Sequence, residues 1–243
     1  MFGVQGRVIA AITLRATLGR KRALLFAIPP LVLILVTVAL KLAHPERASW
    51  PVDILGVFGF SVVLPLTALI IGTSVLGAEI DDGSIVHLLA TPVSRPLVVA
   101  VKYAVAAVLT MVFAAIPELL AGLVATGGAT RLALGLFAGA LAGSVMYNAV
   151  FVMLSVLTTR AIAVGLLYTL IWEGVLANLV PGARLLSVGQ YSLGIANSIA
   201  REPGLNAALG LPTAVVMGLL ATAAALVIAA RRLASFSIKG ETA

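Results

Sequence analysis

The stretch "RKRALLFAIPPLVLILVTVALKLAHPER", Arg20 to Arg47, sets three basic residues ahead of a run that is apolar from 23 to 40 except for Thr37. Lys41, His44 and Arg47 follow. About 20 apolar residues at 1.5 Å each cross the roughly 30 Å of a bilayer's hydrocarbon, and a flank of Lys and Arg marks each end. This run predicts a membrane span over 23–42. The same pattern recurs over 54–77, 97–125, 132–158, 161–180 and 211–230, giving six predicted spans.

Composition agrees. Of 243 residues, 61% are hydrophobic and 10% charged, with a mean hydropathy of +1.16. A soluble domain averages roughly 25% charged residues, so this chain has too little polar surface to cover a globule in water. Backbone groups in lipid must bond within their own segment, and the Leu, Ala, Val and Ile runs lack the alternation of barrel strands. The predicted fold is an all-α polytopic membrane protein forming a single transmembrane domain over 1–243. Without cysteine, thiolate metal sites, disulfides and a Cys nucleophile are excluded. The net charge of +7 sits on span flanks and not on an aromatic-studded patch, so a lipid bilayer, not nucleic acid, is the expected partner.

Orientation follows from the basic residues. With the amino terminus inside, Arg7, Arg15, Arg20, Lys21, Arg22, Arg95, Lys102, Arg160, Arg231, Arg232 and Lys239 are cytoplasmic. Lys41, Arg47, Arg131, Arg184 and Arg201 are then outside, 11 against 5, so both termini are expected in the cytoplasm. The opening "MFGVQGRVIAAITLRATLGRKR" has five basic residues and no acid. Val4, Val8, Ile12 and Leu14 interleave with Arg7 and Arg15, which predicts an amphipathic interfacial helix over 1–22. A basic flank that only sets topology is the other reading. Between the fifth and sixth spans, "VPGARLLSVGQYSLGIANSIAREPGLNAALG" is too polar and Gly-rich to face lipid. Short helices or re-entrant turns capping the outer face are expected there.

One insert breaks the apolar pattern: "GAEIDDGSIVHLLATPVSRPLVVAVK", Gly77 to Lys102. Asp81 and Asp82 suit the first turn of a short helix, Ile85, Leu88 and Leu89 give it an apolar edge, and each Pro of "TPVSRP" pushes its preceding residue out of helical conformation. The ordered set Glu79, Gly83, Ser84, Leu88, Leu89, Pro92, Val93, Ser94, Arg95 and Lys102 resembles the coupling-loop signature of type-2 permeases of ATP-binding-cassette (ABC) exporters. Ser84 stands where that family usually has Thr, keeping the hydroxyl. The six-span count, the amphipathic start and "YTLIWEG" in the fifth span resemble it too.

The resemblance implies that Ile80 to Ala90 is a coupling helix docking on a separate ATPase, two copies of which would serve a pair of permease chains, expected as a homodimer. Asp81, Asp82 and His87 would then make polar contacts while Ile85, Leu88 and Leu89 fill the ATPase groove. Glu79 and Arg95 are expected to pair and fix the loop's angle. No G-x-x-x-x-G-K-[ST] loop occurs, so ATP and magnesium would bind the partner, and this chain by itself is expected to be neither an enzyme nor a cofactor carrier. The expected cargo is amphipathic, exported across a bacterial plasma membrane.

Glu118 and Glu173 fall inside apolar runs, where a charge costs about 2.5–3.5 kcal/mol to insert. They either line a substrate path together with Trp172, or act as buried hydrogen-bonders, with Arg184 or Tyr168 as partners for Glu173. Pro117 is expected to kink the third span and put Glu118 beside the freed amides. A proton- or ion-coupled secondary transporter using both acids is the alternative function, although paired broken helices are not evident. His44 and His87 lie in loops at opposite faces, leaving no catalytic constellation. Finally, Gly135, Gly139 and Gly143 form a small-residue ridge for close helix packing, within the chain or between two chains.

Overall fold

The computed structural model describes residues 4–44, 50–81, 93–128 and 131–235, and all regular elements among them are helical. Helix α1 covers Val4–Thr17 and α2 covers Arg20–Ala43. Helix α3 runs from Trp50–Asp53 through a wide π-helical stretch, Ile54–Val63, into Leu64–Asp81. Helix α4 joins Arg95–Thr110, a π-helical Met111–Ala115 and Ile116–Thr126. The uninterrupted α5, Arg131–Leu157, is followed by α6, which joins Ala161–Leu167, π-helical Tyr168–Leu176 and Ala177–Leu179. A 3₁₀ turn at Pro181–Leu186 leads to α7, Val188–Ala200, and a second at Pro203–Leu205 precedes α8, Leu211–Ala234.

Five of these are long and apolar enough to cross a membrane: Leu24–Ala43, Trp50–Gly77, Arg95–Thr126, Arg131–Leu157 and Leu211–Ala234. The segment predicted as the fifth span, 161–180, contains a shorter apolar helix, Ala161–Leu176. Its π-helical half holds more residues per turn, so it reaches less far than its residue count suggests.

Helix α5 is the central column. It packs against α3, α4, α7 and α8, and buries residues around its whole circumference, including Tyr147, Asn148 and Phe151. Lipid tails are as apolar as leucine, so close contact between small residues, and not water exclusion, holds such helices together. Successive spans alternate in direction, giving the bundle a Glu79 end and a Trp50 end. At the Glu79 end, Phe26, Val75, Val98, Val152 and Leu233 form one core. At the Trp50 end, Leu55, Phe60, Leu136, Tyr191 and Leu205 belong to another. There Lys41 Nζ donates to Ala125 O at 3.0 Å, covering a terminal carbonyl of α4, and α4 stops at Gly127 in the left-handed region (φ 73°).

Helix α1 divides its faces as a surface helix should. Gly6, Ile9, Thr13 and Thr17 are buried, and the helix packs on α3 and α4. Val8, Ile12 and Leu14 point away together with Arg7 and Arg15. Ile80 and Asp81, expected to open a separate coupling helix, instead continue the last turn of α3. The rest of that predicted helix, with Asp82, Gly83, Ser84, Ile85, His87, Leu88 and Leu89, and Pro92 beyond its end, lie outside the described residues.

The glycine ridge of α5 receives α7. A Cβ on Gly135 would lie 2.5 Å from Ala196 O, one on Gly139 2.6 Å from Ser192 O, and one on Gly143 2.6 Å from Ser192 Oγ. Those pairings run antiparallel, so α7 starts deep along α5 and climbs back to the Trp50 end. The segment between α6 and α8 is therefore re-entrant: it dips into the bundle and is not laid across its rim.

Candidate functional site

At the Glu79 end, Val75 and Glu79 lie four residues apart on α3 and so share one face. Lys102 reaches that face from α4, two turns beyond Arg95. Its Nζ donates to Val75 O at 2.8 Å and to Glu79 Oε1 at 2.5 Å, and the side chain is 1% exposed. The expected Glu79–Arg95 pair is thus replaced by Glu79–Lys102. Arg95 begins α4 at its rim, whereas Lys102 is deep enough to meet the α3 column. Ser94 holds the N-cap position of α4 without a side-chain cap bond. The effect is to pin together the two helix ends that flank residues 82–92.

Beside this end, a largely apolar crevice of about 830 Å³ opens between α2, α3 and α6. Phe26, Ile70 and Leu166 line it, with a polar fringe of Thr73, Ser74, Thr158 and Arg160.

At the Trp50 end, Glu173 anchors the re-entrant segment. Its Oε1 accepts from Tyr168 Oη at 2.7 Å and from the Val188 N–H at 2.8 Å. Its Oε2 accepts from Ser187 Oγ and from the Gly189 N–H at 3.3 Å. A carboxylate at a helix amino terminus both satisfies orphan amides and opposes the dipole. Ser187 Oγ also accepts from Gln190 N at 3.1 Å as the N-cap of α7. Above them lies a mostly polar cavity of about 600 Å³, bounded by α3, α5, the 3₁₀ turn carrying Arg184, α7 and residues 204–208.

A family model described as "ABC-2 family transporter protein" matches residues 18–181, or 164 of the 243. The chain belongs to this family. No curated protein matches it. The ABC-2 protein is therefore a multi-helix membrane permease, and the matched stretch runs from the end of α1 to the start of the re-entrant segment.

The permease separates its two intramembrane acids. Glu173 lines the polar cavity, while Glu118 does not. Glu118 is 2% exposed, its Oε1 has no hydrogen-bond partner among the described residues, and its carboxylate rests on Gly59. The expected capping of amides freed by Pro117 does not occur. The π-helical turn before the proline re-pairs the backbone, with the Ile116 N–H bonded to Met111 O. Trp172 lies off the cavity and donates from Nε1 to Leu186 O at 3.2 Å, bracing the 3₁₀ turn. Asn148 makes an interhelical bond, Nδ2 to Thr110 Oγ1 at 2.8 Å. Sequence reasoning overlooked Ser187, Gln190 and Asn197. The signal for the first two was there: "SVGQ" has the Ser-x-x-Gln spacing of a helix start.

Proposed function

We propose that this permease is the membrane-embedded half of an ATP-driven exporter whose nucleotide-binding subunit is a separate chain. The 82–92 loop, on this reading, lies in the cytoplasm and docks through Ile85, Leu88 and Leu89 on that ATPase, with Asp81, Asp82 and His87 in polar contact. ATP and magnesium bind there, and two ATPases serve two permease chains. Both termini are cytoplasmic in a bacterial plasma membrane. The observation that carries the reading is the buried Lys102–Glu79 pair. A thrust on the loop cannot splay α3 from α4 without breaking an ion pair in low dielectric, so it moves both helices as one body.

The cargo is amphipathic. The crevice between α2, α3 and α6 offers apolar walls with a narrow hydroxyl and Arg160 fringe, which suits a partly apolar molecule better than a hydrated ion. Four donors already occupy the Glu173 carboxylate, which speaks against its use as an ion-coupling site.

The test is co-expression with a candidate ATPase. The wild-type chain should retain the ATPase through purification, and Ile85→Asp or Leu88→Asp should release it. Export from proteoliposomes should require ATP on the ATPase side. Uptake by this chain alone, driven by a proton gradient, would refute the proposal.

A further inference from the structure

The polar cavity at the Trp50 end has the donors of a binding site. Gln190, Leu193 and Asn197 recur on one face of α7 and all line it. Both amides are oriented by their carbonyl ends: Gln190 Oε1 accepts from the Ala208 N–H at 3.0 Å, and Asn197 Oδ1 from the Glu202 N–H at 2.9 Å. Their NH₂ groups are therefore left as donors, with no protein acceptor among the described residues. Tyr147 adds a third. Its side chain is fully buried, it lines the same cavity, and its hydroxyl has no partner among the described residues. A buried hydroxyl without a partner costs about 1–3 kcal/mol, so the Tyr147 hydroxyl, with the two open amide donors facing the same space, favours a ligand that supplies acceptors.

Charge narrows the ligand further. Arg184 and Glu173 both line the cavity and carry opposite charges, and the Glu173 oxygens are already committed to four donors. No net field selects an ion. The wall formed by Val57 and Ser61 of α3 is exposed, so the cavity opens sideways. A volume of about 600 Å³ is in the range of small-molecule sites.

We propose that this cavity binds the uncharged, oxygen-rich headgroup of an amphiphile, sugar hydroxyls or amide carbonyls, whose apolar tail leaves past Val57 and Ser61. Tyr147, Gln190 and Asn197 hold the headgroup. Binding as such does not depend on ATP coupling. Only the meaning of the site as the exit end of the transport path rests on the exporter reading.

The experiment uses the full chain in phosphatidylcholine nanodiscs, with Trp172 as reporter in a Trp50→Phe background. Two probes share one alkyl chain: dodecyl maltoside, and dodecyltrimethylammonium. The maltoside should give a saturable Trp172 response at concentrations where the ammonium amphiphile gives none. Gln190→Glu and Asn197→Asp keep the oxygen that ties the loop but replace the donor with an acceptor. Tyr147→Phe keeps the ring stacked on Phe151. Each should weaken maltoside binding about 2- to 10-fold, the worth of one hydrogen bond. Equal response to both headgroups, or unchanged affinity in all three variants, overturns the proposal. If the variants fail to fold, the two-probe comparison on the parent chain decides it alone. A wild-type chain that fails to retain the ATPase yet binds maltoside would sink the exporter reading and leave this site standing.

Discussion

Lys102 Nζ sits 2.5 Å from Glu79 Oε1, a contact between residues 23 apart in sequence that ties the end of α3 to the first turns of α4. Lys102 is 1% exposed and Glu79 24%, so the pair is buried on its lysine side and partly open on its glutamate side.

Removing one partner should therefore be worse than removing both. Glu79→Gln alone should cost about 3 kcal/mol, because the uncompensated Lys102 charge stays buried, and Lys102→Met less, because Glu79 keeps contact with water. The double variant should cost less than the sum, with a coupling of at least about 1 kcal/mol in a double-mutant cycle of detergent-solubilised protein. Additive losses would mean that the two groups act independently and do not brace the loop.

The glycine ridge makes a steric prediction. Gly139→Ala pushes a Cβ to 2.6 Å from Ser192 O, a backbone atom that cannot swing away, so α7 must shift. A loss of about 1–3 kcal/mol is expected. Gly128→Ala, where a Cβ meets nothing within 4 Å, should stay within about 0.5 kcal/mol. Thermal unfolding of both variants checks the contrast. Ala196→Gly should restore part of the Gly139→Ala loss, since Ala196 Cβ lies 2.7 Å from the new methyl.

Membrane placement was legible because the bilayer imposes one length and one polarity on every crossing helix, and runs such as 23–42 and 132–158 satisfy both. The ridge at Gly135, Gly139 and Gly143 was legible as a close-packing face, but its occupant was not. Small residues announce a near neighbour without naming it, and α7 is identified only by three-dimensional contact. Glu79 and Lys102 were both singled out. Pairing Glu79 with Arg95 went astray because proximity to the loop was weighed and helical depth was not. Glu118 and Glu173 look alike in sequence, each an acid within an apolar run. Their surroundings separate them: one lies on a bare glycine, the other beneath the start of a helix.

Sidedness can be read directly because the chain has no cysteine of its own. Ser94→Cys, exposed at the Glu79 end, should react with a membrane-impermeant maleimide only after the cells are opened. Arg201→Cys, exposed at the Trp50 end, should react in intact cells. The reverse pattern would turn the 82–92 loop outward and end any role for it in meeting an ATPase.

The two acids should answer substitution in opposite ways. Glu118→Gln or Glu118→Met removes a carboxylate whose Oε1 has no donor, so stability should hold or rise. Shortening the side chain, as in Glu118→Ala, should also relieve Gly59→Ala in part, because the added Cβ would otherwise meet both carboxylate oxygens at 2.6 Å. Glu173→Leu strands the Tyr168 and Ser187 hydroxyls and the Val188 and Gly189 amides together, a loss of at least about 3 kcal/mol. Glu173→Gln, which keeps one acceptor oxygen, should fall between. Loss of the cap should free α7 first, so limited proteolysis should cut within 181–200 in Glu173→Leu before any span is attacked. A Glu118 variant that unfolds while Glu173→Leu stays intact would invert the assignment, making Glu118 the anchor and Glu173 dispensable.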